Sequence, residues 1–301
     1  MATVDSIPDV VACEICGGPA TLAADVRGYR HHRCRRCAHL FVWPRPAQEA
    51  VETVYGAEHY YDHAMGQRER LEVDAIHRLE LLERLCAAHG LAQRLLDVGC
   101  AAGLFLAHAT RRGWDAVGIE RSAHMAAQAE HAAKAPVHTG LIESMRVPGS
   151  PFPVVTAWEV LEHAIDPRAF LRAVARNVAP GGLLALSTPR SDGVPARLMG
   201  SRFPMICPPE HLSLFSRRSL GLLAREEGLV EVEFSSFSNL GVESLASGFC
   251  RMFRGGPLRE AGKVSQAMFL AMGVAACWAP SLIDRAGYGT EMLAIYRKGA
   301  P

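Results

Sequence analysis

Apolar positions in this chain fall into two rhythms that alternate over most of its length. From 67 to 90, Leu71, Ile76, Leu79, Leu82 and Leu85–Cys86 recur near a 3.6-residue period among Arg and Glu, and Gly90 supplies a stop, which predicts a helix. Short apolar runs then follow at Arg94–Val98, Ala116–Ile119, Val137–Ile142, from Val154 onward and at Leu183–Ser187, each the length of a buried strand. Between them lie segments of helical character: Leu104-Phe105-Leu106 onward, the Ala- and His-rich run 122–135, and Arg168–Val178. Asp166-Pro167 opens the last of these with an N-cap and a first-turn proline, and Ala179–Gly182 reads as a tight turn. Ser219–Glu227 reads as one more helix. Sustained strand–helix alternation predicts an α/β domain.

Four stretches stand outside that alternation. Residues 1–12 read as a loose lead-in, and Leu40–Tyr61 as a bridge broken by Pro44 and Pro46 and ending in paired Tyr60 and Tyr61. Residues 190–215 form a connection long enough to suggest function. Residues 240–290 are an apolar insertion holding Phe249, Met252, Phe253 and the run Met268–Leu282, interrupted by Gly273, Trp278 and Pro280. That run is too broken for a membrane span, and Cys250 and Cys277 within the insertion read as small buried apolar residues.

Composition narrows the class. The chain has 301 residues, is 49% hydrophobic and 21% charged, and carries a net charge of +1, enough apolar material for one large core and no call for a polyanionic partner. Neither a signal segment nor an uninterrupted apolar run of spanning length is evident, and the 9 cysteines are odd in number, so a reducing, cytoplasmic setting is expected. Four of them form two Cys-x2-Cys knuckles, Cys13/Cys16 and Cys34/Cys37, separated by a hairpin-sized segment. Two such pairs can close a tetrahedral site, which predicts a structural zinc ribbon; His31, His32 and His39 lie nearby but are not needed as ligands.

The candidate chemistry centres on Arg94–Gly103, RLLDVGCAAG: a strand entering a glycine turn and then a helix, where a ligand can approach backbone N–H groups. The next strand ends in Glu120, placed to accept from both hydroxyls of a ribose. With two glycines rather than G-x-G-x-x-G, and with Asp97 disfavouring a pyrophosphate but suiting an ammonium, the loop resembles the first motif of class I S-adenosylmethionine (SAM)-dependent methyltransferases, L-D-h-G-C-G-x-G. Ala101 stands where that motif has glycine. The resemblance implies a Rossmann-like, mostly parallel seven-stranded sheet with helices on both faces, closed by Val230–Phe234 and Leu293–Tyr296, and SAM contacts from Asp97, Gly99, Cys100, Ala101, Gly103, Glu120, Arg121, Leu141, Ile142, Trp158 and Glu159. Leu141 and Ile142 stand where many members carry an aspartate for the adenine amine, so adenine is expected to be held by apolar packing and backbone groups.

Two further segments carry polar clusters. Trp158–His163 resembles the family's E-x-x-E-H segment, which in some ubiquinone-pathway O-methyltransferases holds a divalent ion; Glu159, Glu162 and His163 would be such a set for Mg²⁺ or Zn²⁺, and the other reading has Glu162 and His163 bracing the next helix. Pro208–Phe215 is similar to the E-H-x-x-x-F/Y segment of zinc-ribbon sugar C-methyltransferases, which implies His211 as general base with Glu210 as its partner and His163 in the same catalytic set. No N-P-P-Y tetrad follows the fifth strand, which disfavours the amine-methylating type common among DNA methyltransferases.

Together these imply a ribbon at 1–45, a linker and helical lid at 46–92, and a SAM-binding domain at 93–301 whose 240–290 insertion covers the acceptor or forms an interface, with a second copy or with a membrane surface. The expected activity is methyl transfer to a small sugar-like or secondary-metabolite acceptor, on O or C. Two alternatives stay open: an RNA methyltransferase gripping its substrate through Arg27, Arg30, Arg33, Arg35 and Arg36, against which the near-neutral charge argues, and a SAM-binding partner protein without catalysis.

Overall fold

The computed structural model describes residues 8–48, 50–51, 68–238, 262–278, 284 and 286–299. Tyr60, Tyr61, Phe249, Cys250, Met252 and Phe253 lie outside the described residues, as does the side chain of Cys277. The chain divides into two compact units: Met1–Pro44 with Thr188–Leu220 and Phe234–Leu293, and Arg45–Ser187 with Gly221–Glu233 and Ala294–Pro301.

The first unit begins with β1 (Val10–Ala12), β2 (Pro19–Val26), β3 (Tyr29–Cys34) and β4 (Leu40–Val42), paired antiparallel in chain order. A Cys-x2-Cys knuckle lies before β2 and another begins at the end of β3, so the hairpin β2–β3 joins the two cysteine pairs. The sheet does not stop there. A fifth strand, β10 (Ser213–Leu214), joins it from the long connection, pairing antiparallel with β4. The rest of that connection forms a short helix, α5 (Val194–Met199), and a 3₁₀ turn at Gly200–Arg202. Leu40, Ala196, Phe203, Ile206 and Leu214 bury a common cluster, so ribbon and connection share one core. From the insertion, Lys263–Trp278 is described and is helical (α7); it buries Phe269 and exposes Val264 and Met268. Among the described residues no helix is long and apolar enough to cross a membrane.

The second unit is built on α1 (Arg68–His89), β5 (Arg94–Val98), α2 (Leu104–Arg111), β6 (Asp115–Glu120), α3 (Ala123–Ala133), β7 (Val137–Thr139), β8 (Phe152–Trp158), α4 (Pro167–Asn177) and β9 (Val178–Pro189), with α6 (Arg217–Glu226), β11 (Leu229–Phe237) and β12 (Glu291–Lys298) completing the series. The sheet is seven-stranded in the order β11-β12-β9-β8-β5-β6-β7, and the pairs from β9 to β7 are parallel. Leu95, Leu96 and Val98 on β5, and Phe152, Val154, Val155 and Ala157 on β8, are buried on both faces, as strands covered by helices on both sides must be. Since β6 and β7 extend the sheet to one side of β5 and β8 and β9 to the other, the chain reverses its direction of growth at β5. A crevice at the carboxyl ends of β5 and β8 follows from that reversal.

Three expectations need correction. On α1 the buried stripe is Ala75, Leu79, Leu82 and Cys86, and Ile76 lies one position off it at 36% exposure. The third strand ends at Thr139 rather than Ile142, because Gly140 adopts φ 148° and turns the chain away from the sheet. Ala179–Gly182 is not a turn between elements but part of β9: Phe152 pairs with Val178 and Val154 with Leu183, so the extra residues bulge within the strand.

The start of α4 follows the expected capping chemistry. The Asp166 carboxylate accepts from the Arg168 and Ala169 N–H groups at 2.9 and 3.0 Å. Asp166→Ala should therefore lower stability by about 1 kcal/mol, read as a shifted denaturation midpoint with an unchanged slope.

Candidate functional site

A cavity of about 1570 Å³ opens in the second unit at the carboxyl ends of β5, β6 and β8. Every residue expected at a SAM site lines it except Gly103. Gly103 serves helix packing instead, since a Cβ there would sit 2.6 Å from the Ala129 Cα, and its absence lets α2 pack directly on α3. Gly99, at φ 71°, is on the wall, and a Cβ there would meet Val160 at 2.7 Å. Ala101 also takes a left-handed conformation, φ 47°, the backbone state for which glycine is the usual choice.

Glu120 organises the loop. One carboxylate oxygen accepts from Ala101 N–H and the other from Ser122 N–H, both at 3.0 Å. Each oxygen keeps a lone pair for a ligand hydroxyl. Asp97 is buried at 2% exposure and accepts from the Thr156 hydroxyl at 2.7 Å. Burial pushes its pKa up to about 7, against the opposing pull of the Thr156 hydrogen bond and the Arg78 charge. Leu141, Ile142, Glu143 and Ser144 line the wall beyond Glu120 and Arg121.

The end of β8 supplies the opposite wall. Trp158 packs edge-on to Phe105 at 5.3 Å between ring centroids, and Glu159 is held at φ 53° with its N–H donating to the Ser187 carbonyl. The indole Nε1 and the Glu159 Oε1 are buried atoms with no hydrogen-bond partner among the described residues. His163 also reaches the cavity, from the 3₁₀ turn Leu161–His163, while Glu162 is fully buried. Of the expected divalent set, Glu162 and His163 bring ligand atoms within 4.8 Å of each other, and Glu159 is not grouped with them.

Among the wall residues not expected from sequence, one carries a charge beside Trp158. Arg78 on α1 holds its guanidinium 4.5 Å from the centre of the Trp158 ring and donates to the Ser187 hydroxyl at 3.3 Å. Its signal was positional: with Ala75, Leu79 and Leu82 it lies on the apolar stripe, where a cation needs a reason to be.

In the first unit, the four knuckle cysteines bring their sulfurs within 4.8 Å of one another, with Cys13–Cys37 at 3.7 Å and Cys16–Cys34 at 3.4 Å. A tetrahedral tetrathiolate ion with bonds of about 2.3 Å has S···S edges of about 3.8 Å, so the donor set fits a metal. The hydrogen bond from Cys37 lowers the pKa of Cys13 and raises its own, so one thiol of the pair ionises ahead of the other. No histidine joins the cluster: His39 instead meets Glu14 at 2.9 Å. His211 Nδ1 lies 2.8 Å from the Met205 carbonyl oxygen, and Glu210 is exposed. Because a carbonyl only accepts, Nδ1 is the donor in this contact. The five ribbon arginines do not make one exposed face: Arg30 pairs with Asp9, Arg33 is largely buried and donates to the Ser191 carbonyl at 2.7 Å, Arg27 is at the hairpin tip, and Arg35 and Arg36 are at the knuckle.

Fold, crevice and loop define a class I SAM-binding methyltransferase fold. A family model described as a methyltransferase domain matches residues 61–233, and the chain belongs to that family. Among curated proteins it is similar to ubiquinone biosynthesis O-methyltransferases of Caulobacter sp. (strain K31), 38% identical over 101 residues, and of Bradyrhizobium sp. (strain ORS 278), 42% identical over 100 residues. Each match covers 32% of this chain, and 40% and 39% of the relatives, so the chain spans about two fifths of their length. A SAM-dependent methyltransferase from Archaeoglobus fulgidus shares the fold at a TM-score of 0.52 and 14% identity, over 80% of this chain and 100% of that one.

Asp97 yields a pH test. Its pKa lies above the unfolded value, so the folded protein binds a proton more tightly than the unfolded chain does. The carboxyl therefore costs no stability at low pH and costs most above pH 7. A cationic ligand favours the charged form, so SAM affinity should rise about tenfold between pH 6 and pH 8. Calorimetry in buffers of different ionisation enthalpy should show proton release, and Asp97→Asn should flatten the profile while stabilising the ligand-free protein at pH 8.

Proposed function

We propose that this chain transfers the methyl group of SAM to a hydroxyl of a small-molecule acceptor. The observation that carries the reading is the pairing of Asp97 and Glu120 on one cavity wall. One is a buried carboxyl suited to an ammonium, the other a carboxylate fixed by two backbone N–H groups and suited to a ribose diol. When bound, SAM supplies a methyl group already activated on a sulfonium.

The residues then have separable roles. Asp97 holds the ammonium and Arg78 the carboxylate of the amino-acid end, a plus-and-minus pair matched to a zwitterion. Glu120 orients the ribose, Leu141 and Ile142 cover the base, and Trp158 closes the wall opposite. His211 accepts the proton of the acceptor hydroxyl at Nε2, its Nδ1–H being committed to the Met205 carbonyl. The rate gain comes mainly from alignment of acceptor oxygen, methyl and departing sulfur. Zinc in the four-cysteine site is structural, since four thiolates leave no open position for a substrate.

Oxygen as the methylated atom, and a phenolic or quinol-type acceptor, draw support from the two O-methyltransferase relatives. RNA is the weaker reading, because Arg30 and Arg33 are engaged within the protein and the others are spread along the hairpin.

Methyl-labelled SAM given to the protein with a cell extract should place label in the small-molecule fraction; label confined to RNA would overturn the proposal. His211→Ala should reduce kcat by about 10²- to 10⁴-fold. Its SAM affinity should stay unchanged, and full turnover by this variant would remove His211 as the base.

A further inference from the structure

The ribbon has a second use that its metal alone does not explain. Residues 212–216, which follow the proposed base directly, are fastened to the two cysteine knuckles at every turn. Leu214 pairs with Leu40 and Ser213 with Phe41 as β10 joins β4, and Val42 N–H donates to the Leu212 carbonyl at 2.9 Å. The Ser213 hydroxyl donates to Glu14, inside the first knuckle, at 3.3 Å. Glu14 in turn meets His39, whose ring lies 4.7 Å from that of Phe215. From the second knuckle, the Cys37 carbonyl accepts from the Ser216 hydroxyl and the Ala38 carbonyl from the Ser191 hydroxyl at 2.6 Å. Upstream of His211, Phe203 and Ile206 share a buried cluster with Leu40 and Leu214, and Met205, packed against that cluster, supplies the carbonyl that meets His211 Nδ1.

We propose that the metal-loaded ribbon is the positioning element for His211, so that filling the four-cysteine site sets the orientation of the base. The physical reason is size. A hairpin flanked by two three-residue strands is too small to hold a core without its metal, and the loop borrows its rigidity from them. The cavity for SAM is lined by residues 48–170 of the other unit, and its Asp97 and Glu120 take their hydrogen bonds from Thr156, Ala101 and Ser122. Losing the metal should therefore separate cofactor binding from the state of the base. The inference rests on the reading of His211 as the base, and its structural half can be tested without that reading.

The test compares zinc-loaded full-length protein with the same protein stripped by a chelator, using S-adenosylhomocysteine as the binding probe. Stripping should lower hydrogen-exchange protection of the 205–216 amides by about 100-fold or more. The affinity for S-adenosylhomocysteine should stay within about twofold, because the hydrogen bonds that hold Asp97 and Glu120 do not involve residues 205–216. Restoring zinc should return the protection. Ser213→Ala keeps all four cysteines: it should leave zinc content unchanged and shift the His211 imidazole NMR signals. It should also lower turnover on the labelled small-molecule fraction by about 3- to 10-fold, the loss of one anchoring hydrogen bond. Stripped protein that keeps full protection over 205–216 would overturn the proposal, and so would loss of cofactor binding in parallel with that protection. If His211→Ala retains turnover while stripping still exposes 205–216, only the identity of the base is wrong and the clamp stands.

Discussion

One carboxylate holds the cofactor wall in shape. Glu120 ends β6 with its two oxygens on the N–H groups of Ala101 and Ser122, so the turn after β5 and the entry into α3 answer to the same side chain. Hydrogen bonds to an ionised acceptor are roughly twice as strong as neutral ones. That explains how the loop keeps Ala101 at φ 47°, a conformation that costs an L-residue about 1–2 kcal/mol. The N–H freed by the left-handed turn is the one Glu120 receives. Close packing does the rest, since Gly103 and Ala129 bring α2 and α3 into backbone contact behind the wall.

Asp97 shows the opposite economy. A carboxyl at 2% exposure with one hydroxyl donor destabilises the fold as soon as it ionises. A cationic ligand beside it, at the carboxyl end of β5, would offset that cost. Arg78 lies across the same cavity with its guanidinium stacked on Trp158, so the wall carries separated charges of both signs inside a largely apolar enclosure. Such preorganised charge favours a zwitterion over either a neutral or a singly charged ligand.

The first unit follows a different logic. Its sheet takes its fifth strand from a connection more than 150 residues later in the chain, and its buried cluster is shared between the two segments. A metal knuckle, a few short strands and a long loop would each be too small to order alone. Joined, they make one core, and the polar links through Glu14, Ser191 and Ser216 determine the register in which they meet.

Local pattern was enough for much of this. The α/β alternation, the glycine turn after Asp97, the acid at the end of the second strand and the paired Cys-x2-Cys knuckles all depend on spacing along the chain, and spacing is what a sequence records. The N-cap at Asp166 is of the same kind. Tertiary structure alone decided three other matters. Arg78 faces the cavity because α1 packs against α2 with its apolar stripe, and the cation beside it, turned inward. Glu159, left-handed at the end of β8, is set apart from the grouped Glu162 and His163. The segment after His211 became a strand of the ribbon because unsatisfied backbone groups on β4 had to find a partner. Two residues of apolar or polar character say nothing of which edge they will pair with. The sequence by itself determined which elements form and which groups could do chemistry; packing decided which of those groups meet, because meeting depends on distances that no local pattern contains.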